Sequence, residues 1–128
     1  MALSRKQSRE IAFRLIFGSS EPDTENLELA TDGVAPDGCE LEYIKSLVCA
    51  CLENIEQIDE IITRHSKDFA FDRIFKTDLA ALRMGIAEVR FFGNTPPVVA
   101  VNEAVEIAKK YGTKKSGGFV NGILAAIL

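Results

Sequence analysis

Residues 96–128 read PPVVAVNEAVEIAKKYGTKKSGGFVNGILAAIL, and this stretch decides the fold. Two prolines end any preceding helix, and the apolar residues after them recur every three or four positions, as on one face of an α-helix. These residues are Val101, Ala104, Val105 and Ala108. A Tyr-Gly step then ends the helix, a turn with two lysines follows, and a second apolar run begins at Phe119. The spacing predicts two consecutive helices, over 98–111 and 116–127.

The N-terminal segment carries the signature of a helix start. Ser4 and Gln7 stand three residues apart, which is the spacing of a capping box, so the first helix is predicted to begin at Arg5. Gly18 is predicted to end it. Residues 19–39 are rich in Ser, Pro, Asp, Glu and Gly and predict a loop, with at most a short helical turn at 27–30.

Helical spacing also dominates the middle of the chain, and no segment alternates as a strand would. One long helix is predicted over 41–65, and another over 78–92, with Thr77 as its N-cap and Gly93 as its end. The apolar stripe of the long helix consists of Ile44, Leu47, Val48, Cys51, Leu52, Ile55, Ile58 and Ile62. The predicted fold class is therefore all-α, a single helical domain spanning residues 1–128.

Composition indicates an ordinary globular protein. The chain has 128 residues, 47% hydrophobic and 27% charged, which suffices for one domain with a core. No apolar run approaches the ~20 residues that a membrane-spanning helix needs. The N-terminus lacks the apolar segment of a secretory signal, so the expected location is the cytoplasm, without membrane association.

The sequence gives no indication of a metal site, a cofactor or catalysis. Cys39, Cys49 and Cys51 are odd in number, and Cys49 and Cys51 point about 200° apart on a helix, so they are predicted to be reduced, buried and metal-free. His65 is the only histidine, and no Ser or Cys nucleophile is joined to it by a motif. The glycines form no phosphate-binding loop. We therefore predict that the protein is not an enzyme.

Charge is distributed unevenly along the chain. The net charge is −4, but residues 1–14 have four cations against one carboxylate, and residues 109–128 have four lysines and no acidic side chain. The remaining segment, 15–108, therefore carries −11. If the two basic ends meet in space, they form one face on which nucleic-acid phosphates would bind. The acidic body would then face a protein partner.

The C-terminal stretch resembles the NusB family of bacterial transcription antitermination factors, whose last two helices have a similar INEAVELAK…FG…S…FVNGVL pattern. The matching positions are Asn102, Glu103, Ala104, Glu106, Ala108, Lys109, Gly112, Ser116 and residues 119–122. The basic first helix and the run from Leu82-Arg83 to Glu88-Val89 extend the resemblance over most of the chain. The resemblance implies a fold of two packed three-helix subdomains.

The same resemblance implies that the basic N-terminus binds boxA-type single-stranded RNA of ribosomal RNA leader transcripts. The residues concerned are Arg5, Lys6 and Arg9. Cations are disfavoured near the positive end of a helix, and phosphate contact would explain their presence there. Gln7 stands where the family has a fuller arginine run, which favours a weaker contact. A chance basic start is the alternative.

A second part of the RNA site is predicted at the turn before the last helix. Lys114 and Lys115 occupy positions where the family commonly has acidic residues, and extra cations strengthen phosphate binding. Phe119 offers a ring on which an unstacked base can stack. The alternatives are solvated loop charges for the lysines and core packing for the ring.

The family also pairs with NusE, a ribosomal protein that acts in transcription. The resemblance implies a contact through the first and central helices, at Phe17, Asp78 and Arg83. Phe17 would otherwise be buried, and Asp78 would otherwise be a first-turn carboxylate favoured by the helix dipole. Asp78 is predicted to be exposed.

The implied function is therefore antitermination: RNA and NusE bind adjoining faces, and the assembly joins RNA polymerase to suppress premature termination. One rival function is that of the NusB-like RNA-binding module of rRNA cytosine methyltransferases, although a chain of 128 residues has no room for their catalytic domain. The other rival is a helical protein–protein adaptor without an RNA role.

Overall fold

Helices dominate the computed structural model, which describes residues 3–31, 36, 38–66, 70–93 and 95–128. Seven α-helices lie within these ranges: α1 (Arg5–Phe17), α2 (Thr24–Ala30), α3 (Gly38–Glu53), α4 (Ile55–His65), α5 (Lys76–Ile86), α6 (Pro97–Tyr111) and α7 (Ser116–Ile127). A 3-10 turn, Phe71–Arg73, precedes α5, and a π-helical segment, Ala87–Phe92, continues it. No strand occurs in the described part of the chain. The all-α prediction is confirmed.

The helices form two bundles that share one core. In the first bundle α1 packs against α2 and α3; in the second, α5, α6 and α7 pack on one another, and α4 contacts α5 and α7. The two bundles meet where α1 lies on α5 and where α3 lies on the π-helical segment. Three helices were expected in each bundle, and the second has four because the long helix predicted over 41–65 is broken.

The break lies at Asn54, between α3 and α4. Its backbone leaves the helical region (φ −116°, ψ 21°), and its side-chain amide donates to the Ala50 carbonyl at 2.8 Å. An asparagine side chain can satisfy backbone groups locally and so compete with helix continuation. The apolar stripe runs through the break, with Cys51, Ile58 and Ile62 all buried, so its periodicity did not reveal the break.

The predicted start of α1 is confirmed. Ser4 accepts a hydrogen bond from the Gln7 amide, and the Gln7 side chain accepts one from the Ser4 amide at 2.8 Å. Gly18 follows the last residue of the helix, also as predicted. The helix turns its apolar side into the core, with Ile11, Ala12, Leu15 and Ile16 all buried.

Helix α5 differs from its prediction at the beginning. It begins at Lys76 rather than at Asp78, and no side chain caps it, so Thr77 is not its N-cap. Its end is as predicted, because the π-helical segment stops at Gly93, whose φ of +90° favours glycine. Gly85 lets α5 approach α7 closely: a Cβ there would lie 3.1 Å from Leu124 Cδ1.

The loop predicted over 19–39 contains more order than expected. Helix α2 occupies Thr24–Ala30, with the Asp23 carboxylate accepting from the Asn26 amide at 2.9 Å. Residues 32–35 and 37 of this segment lie outside the described residues. The cysteines are unpaired, but only Cys51 is buried; Cys49 is half-buried and Cys39 exposed, so their predicted burial holds for one of the three. Among the described helices, none is long and apolar enough to cross a membrane.

Candidate nucleic-acid interface

The first turn of α1 presents Arg5 and Lys6 to solvent. Arg5 is nonetheless engaged, because its guanidinium donates to both carboxylate oxygens of Glu40, at the start of α3, at 3.1 Å. It also lies 3.9 Å from the centroid of the Tyr43 ring, a cation–π contact. Lys6 is exposed and has no carboxylate within 4.0 Å among the described residues.

Glu40 is held from two sides. Besides Arg5, the Ser8 hydroxyl donates to its Oε1 at 2.7 Å. The hydrogen bonds from Arg5 and then from Ser8 lower the pKa of the Glu40 carboxyl below its ordinary value, so it is an anion in the folded protein. Glu40 lies in the first turn of α3, just after the loop predicted over 19–39, and nothing in its sequence context marked it as a partner of Arg5.

Arg9 lies in the interior, which contradicts its prediction as an RNA contact on the surface. It donates three hydrogen bonds of 2.8–3.0 Å to the carboxylate of Glu88, and the two side chains are only 8% and 1% exposed. The same carboxylate accepts from the hydroxyls of Tyr43 at 2.9 Å and Thr95 at 2.7 Å. A buried carboxylate needs such partners, and Arg9 is the charge that balances it.

This buried cluster shifts the ionisation of its members in a consistent direction. Burial and the adjacent Glu88 carboxylate raise the pKa of Tyr43 well above its ordinary value, so its hydroxyl stays protonated and donates. Burial alone would lower the pKa of Arg9, but the hydrogen bonds with Glu88 and the charge interactions with its acidic neighbours together outweigh burial and raise it. Arg9 is thus a cation in the folded protein, and it holds α1 against the π-helical segment that continues α5.

The turn between α6 and α7 presents Lys114 and Lys115 to solvent. Neither has a carboxylate within 4.0 Å in the described part of the chain. The turn is stabilised by Ser116, whose hydroxyl oxygen accepts from the Thr113 amide at 2.8 Å. It requires Gly112, because a Cβ there would lie 2.8 Å from the Ala108 carbonyl oxygen. Both lysines are free to reach a phosphate.

A cavity of about 300 Å³ lies beside this turn, between the start of α5 and the start of α7. Its lining residues are Arg73, Ile74, Phe75, Asp78, Thr113, Lys115, Ser116 and Phe119. Phe75, at the edge of this cavity, is 60% exposed. Phe119 is half-buried and packs against the core, so the ring both contributes to the fold and borders the cavity.

Asp78 is buried, so the prediction that it is exposed is wrong. Only 3% of the residue is accessible, and its Oδ1 has no hydrogen-bond partner within the described residues. Burial raises the pKa of its carboxyl, and a hydrogen bond with Ser116 partly opposes that rise. Asp78 lines the cavity, which is where its predicted contact with a partner could be made.

The two remaining predicted partner residues differ in accessibility. Phe17, at the end of α1, is 48% exposed and stacks on Phe13 with ring centroids 6.3 Å apart. Arg83 is half-buried and donates to both oxygens of Asp59 at 2.8 Å, which fastens α5 to α4. Phe17 is therefore accessible to a protein partner, whereas Arg83 is already paired with Asp59 inside the protein.

The N-terminal and C-terminal basic segments do contact each other, but through Lys110 and not through the predicted Lys114 or Lys115. Glu10 of α1 accepts from Lys110 and from the Tyr111 hydroxyl of α6, both at 2.5 Å. Lys115, in contrast, lies with Asp78 at the start of α5, while Arg9 lies with Glu88 ten residues further along, a separation of ~15 Å for a helix. No contact among the described residues joins Arg5 to Lys114 or Lys115.

Comparison with known proteins identifies relatives along nearly the whole length of the chain. The model of the NusB family matches residues 6–128. A transcription antitermination protein NusB from Finegoldia magna is 38% identical over 129 positions, covering 98% of this chain and 94% of that protein. One from Natranaerobius thermophilus is 36% identical and covers 95% of this chain and 92% of that protein.

Solved structures show the same fold. A structure of T. maritima NusB superposes with a TM-score of 0.83 at 32% identity, covering 99% of this chain and 92% of that one. A crystal structure of antitermination factors NusB and NusE in complex with dsRNA gives a TM-score of 0.76 at 31% identity, covering 96% of this chain and 91% of that one.

Proposed function

Since this chain belongs to the NusB family, it is a transcription antitermination factor and not an enzyme, and we propose that it acts by binding RNA together with the ribosomal protein NusE. The RNA is single-stranded and of the boxA type found in ribosomal RNA leader transcripts. The assembly joins RNA polymerase and suppresses premature termination, in the cytoplasm where the transcript is made.

The observation that carries this proposal is the likeness to the solved assembly of NusB, NusE and RNA. The likeness covers 96% of the chain. A protein with a net negative charge needs accessible cations to bind RNA phosphates, and here Lys6, Lys114 and Lys115 are exposed without an ion-pair partner among the described residues.

The RNA contact is proposed to have two parts. Arg5 and Lys6 bind phosphates at the start of α1, and Lys114 and Lys115 bind phosphates at the turn before α7. Phe119, half-buried at the edge of the cavity, offers part of its ring to a base. Arg9 supports the first part from beneath, by fixing α1 against Glu88, and does not itself contact RNA.

NusE is proposed to bind at the end of α1 through Phe17, whose ring is the exposed aromatic group of that helix. Large aromatic side chains in this setting are typical anchors of protein interfaces. The acidic segment between the two basic ends would favour a partner with a basic surface, because opposite charges speed association.

Salt-dependent RNA binding tests the proposal. The affinity of the full chain for a single-stranded boxA-type RNA, with and without NusE, is measured from about 50 to 200 mM salt against a scrambled RNA and a double-stranded competitor. We expect a linear fall of log affinity with log salt and a preference for the boxA sequence when NusE is present. Partner binding without any salt-dependent RNA binding would instead support the adaptor function.

A further inference from the structure

A carboxylate is paired with Arg5, one of the proposed RNA-binding cations. Glu40 accepts from the guanidinium Nε and from one terminal nitrogen, each at 3.1 Å, as a two-pronged pair. A guanidinium binds a phosphate with this same paired geometry. In the free protein the edge of Arg5 formed by Nε and one terminal nitrogen is therefore already used, and the Glu40 charge offsets the attraction of the guanidinium for a phosphate.

We infer that Glu40 competes with an RNA phosphate for Arg5 and thereby sets the RNA affinity of the protein. This inference rests on the proposed RNA-binding function. Glu40 would then determine the RNA affinity: it binds Arg5 in the free protein, and the pair breaks when Arg5 binds a phosphate.

Arg5, and not Glu40, is the member of the pair that can change partners. The Arg5 side chain is 48% exposed, whereas Glu40 is 19% exposed and is also held by the Ser8 hydroxyl at 2.7 Å. Arg5 also lies over the Tyr43 ring at 3.9 Å, a contact that does not depend on the carboxylate. The guanidinium can thus turn its edge to a phosphate while it stays on the ring.

The buried ion pair of Arg9 with Glu88, one turn further along α1, is an example of a pair that cannot exchange its partner for a phosphate. Arg9 and Glu88 are 8% and 1% exposed, and the carboxylate has two further hydroxyl donors. Separating them would leave a buried charge without its partner, which is costly. An ion pair as exposed as that of Arg5 with Glu40 is weak by comparison, so phosphate can displace its carboxylate.

The exchange predicts a particular salt dependence. When a free arginine binds a phosphate, salt ions are released, and this release makes RNA binding sensitive to salt. When Arg5 must first leave Glu40, salt also weakens the ion pair that is broken, and this partly offsets the loss of RNA affinity with rising salt. Removing the Glu40 charge should therefore strengthen binding at low salt and also steepen the salt dependence.

Glu40→Gln is the direct test, because the amide oxygen can still accept from Ser8. We expect single-stranded boxA-type RNA to bind the full-length variant about two- to fivefold tighter, the range that corresponds to an exposed ion pair. The salt slope should steepen by up to ~0.7, the value for one phosphate contact on a single strand. Glu42→Gln is the matched control, since Glu42 is exposed on the same helix and forms no hydrogen bond or ion pair with Arg5 in the part of the chain that the structure describes.

A double-mutant cycle separates this mechanism from a general charge effect. In an Arg5→Gln background, Glu40→Gln should give no gain in RNA affinity, because no guanidinium remains for which Glu40 and a phosphate could compete. Three results would overturn the inference. The first is an equal gain in RNA affinity from Glu40→Gln and Glu42→Gln, and the second is a gain from Glu40→Gln that persists without Arg5. The third is weaker RNA binding by Glu40→Gln than by the unmodified protein. If the unmodified protein shows no salt-dependent RNA binding, the proposed function fails first. Thermal unfolding confirms that all variants are folded.

Discussion

The guanidinium of Arg9 forms a bidentate ion pair with the carboxylate of Glu88, with hydrogen bonds of 2.8–3.0 Å, and both side chains are buried. The pair joins residue 9 of the first bundle to residue 88 of the second. Tyr43 and Thr95 complete the coordination of the carboxylate, so four segments of the chain meet at one charge. We therefore expect this cluster to stabilise the packing of the two bundles.

Arg9→Ala should therefore destabilise the fold. Glu88 would keep its two hydroxyl donors but lose its balancing charge, and breaking a buried pair from one side costs about 3–5 kcal/mol. We expect a decrease of that size in the free energy of unfolding, measured by urea denaturation. Lys6→Ala, on the exposed side of the same helix, should change it by less than about 0.5 kcal/mol. An Arg9→Ala protein of normal stability with reduced RNA affinity would return Arg9 to the RNA surface.

Glu10 makes the stability depend on acid pH. Burial would raise the pKa of its carboxyl, but the hydrogen bonds from Lys110 and Tyr111 outweigh burial and lower it beneath the ordinary value of 4.5. A carboxyl whose pKa is lower in the folded than in the unfolded state stabilises the fold above the unfolded value and loses that contribution as the pH falls. The Glu10 contribution is therefore complete at pH 7 and is lost below 4.5.

Glu10→Gln tests this contribution. The unmodified protein should have a higher free energy of unfolding than the variant at pH 7, and the difference should shrink at pH 3. Glu106→Gln is a suitable control, because its side chain is 57% exposed and its pair with Lys109 is long, at 3.9 Å. A difference that is the same at both pH values would show that the Glu10 charge is not what stabilises the seam between α1 and α6.

Lys114 and Lys115 should contribute to RNA affinity through charge alone. Replacing both with Gln should lower the affinity and reduce the salt slope by about 1.4, which is two single-strand contacts at ~0.7 each. Lys76→Gln combined with Arg64→Gln removes the same charge from two other exposed positions and should leave the slope nearly unchanged. An equal effect of both double variants would mean that only the total charge matters.

Phe119→Leu separates base stacking from core packing. Leucine keeps an apolar side chain on the half-buried side of the residue but removes the flat ring. Loss of a stacked base should cost about 1–3 kcal/mol in RNA binding, with a melting temperature close to that of the unmodified protein. A lower melting temperature with unchanged RNA affinity of the folded protein would assign the ring to the core alone.

Helix spacing predicted most of the fold because the buried stripes obey the same period that defines a helix. It failed at Asn54, where the stripe continues through a change of backbone direction. It also failed at the start of α5, where the chain turns without a side-chain cap, so the usual N-cap residue is misleading. Both failures concern backbone geometry that apolar periodicity does not encode.

The candidate site was less predictable, because the fate of a charge depends on residues distant in sequence. Arg5 and Arg9 look equivalent in the sequence, yet one meets Glu40 at the surface and the other meets Glu88 in the core. The run from Leu82-Arg83 to Glu88-Val89 did contain the buried acid, but a single glutamate in a helix is usually solvated. Asp78 was misjudged for the same reason, since its burial comes from the turn before α7 packing over it.

The central claim is that RNA and NusE bind together on this protein, and the most direct measurement is the affinity for boxA-type RNA as NusE is added. We predict that NusE increases the affinity and that a complex of all three components elutes as one species in size-exclusion chromatography. Phe17→Ala should abolish the increase due to NusE while leaving the RNA affinity of the isolated protein unchanged. RNA affinity that is the same with and without NusE, and no complex of three, would contradict the account.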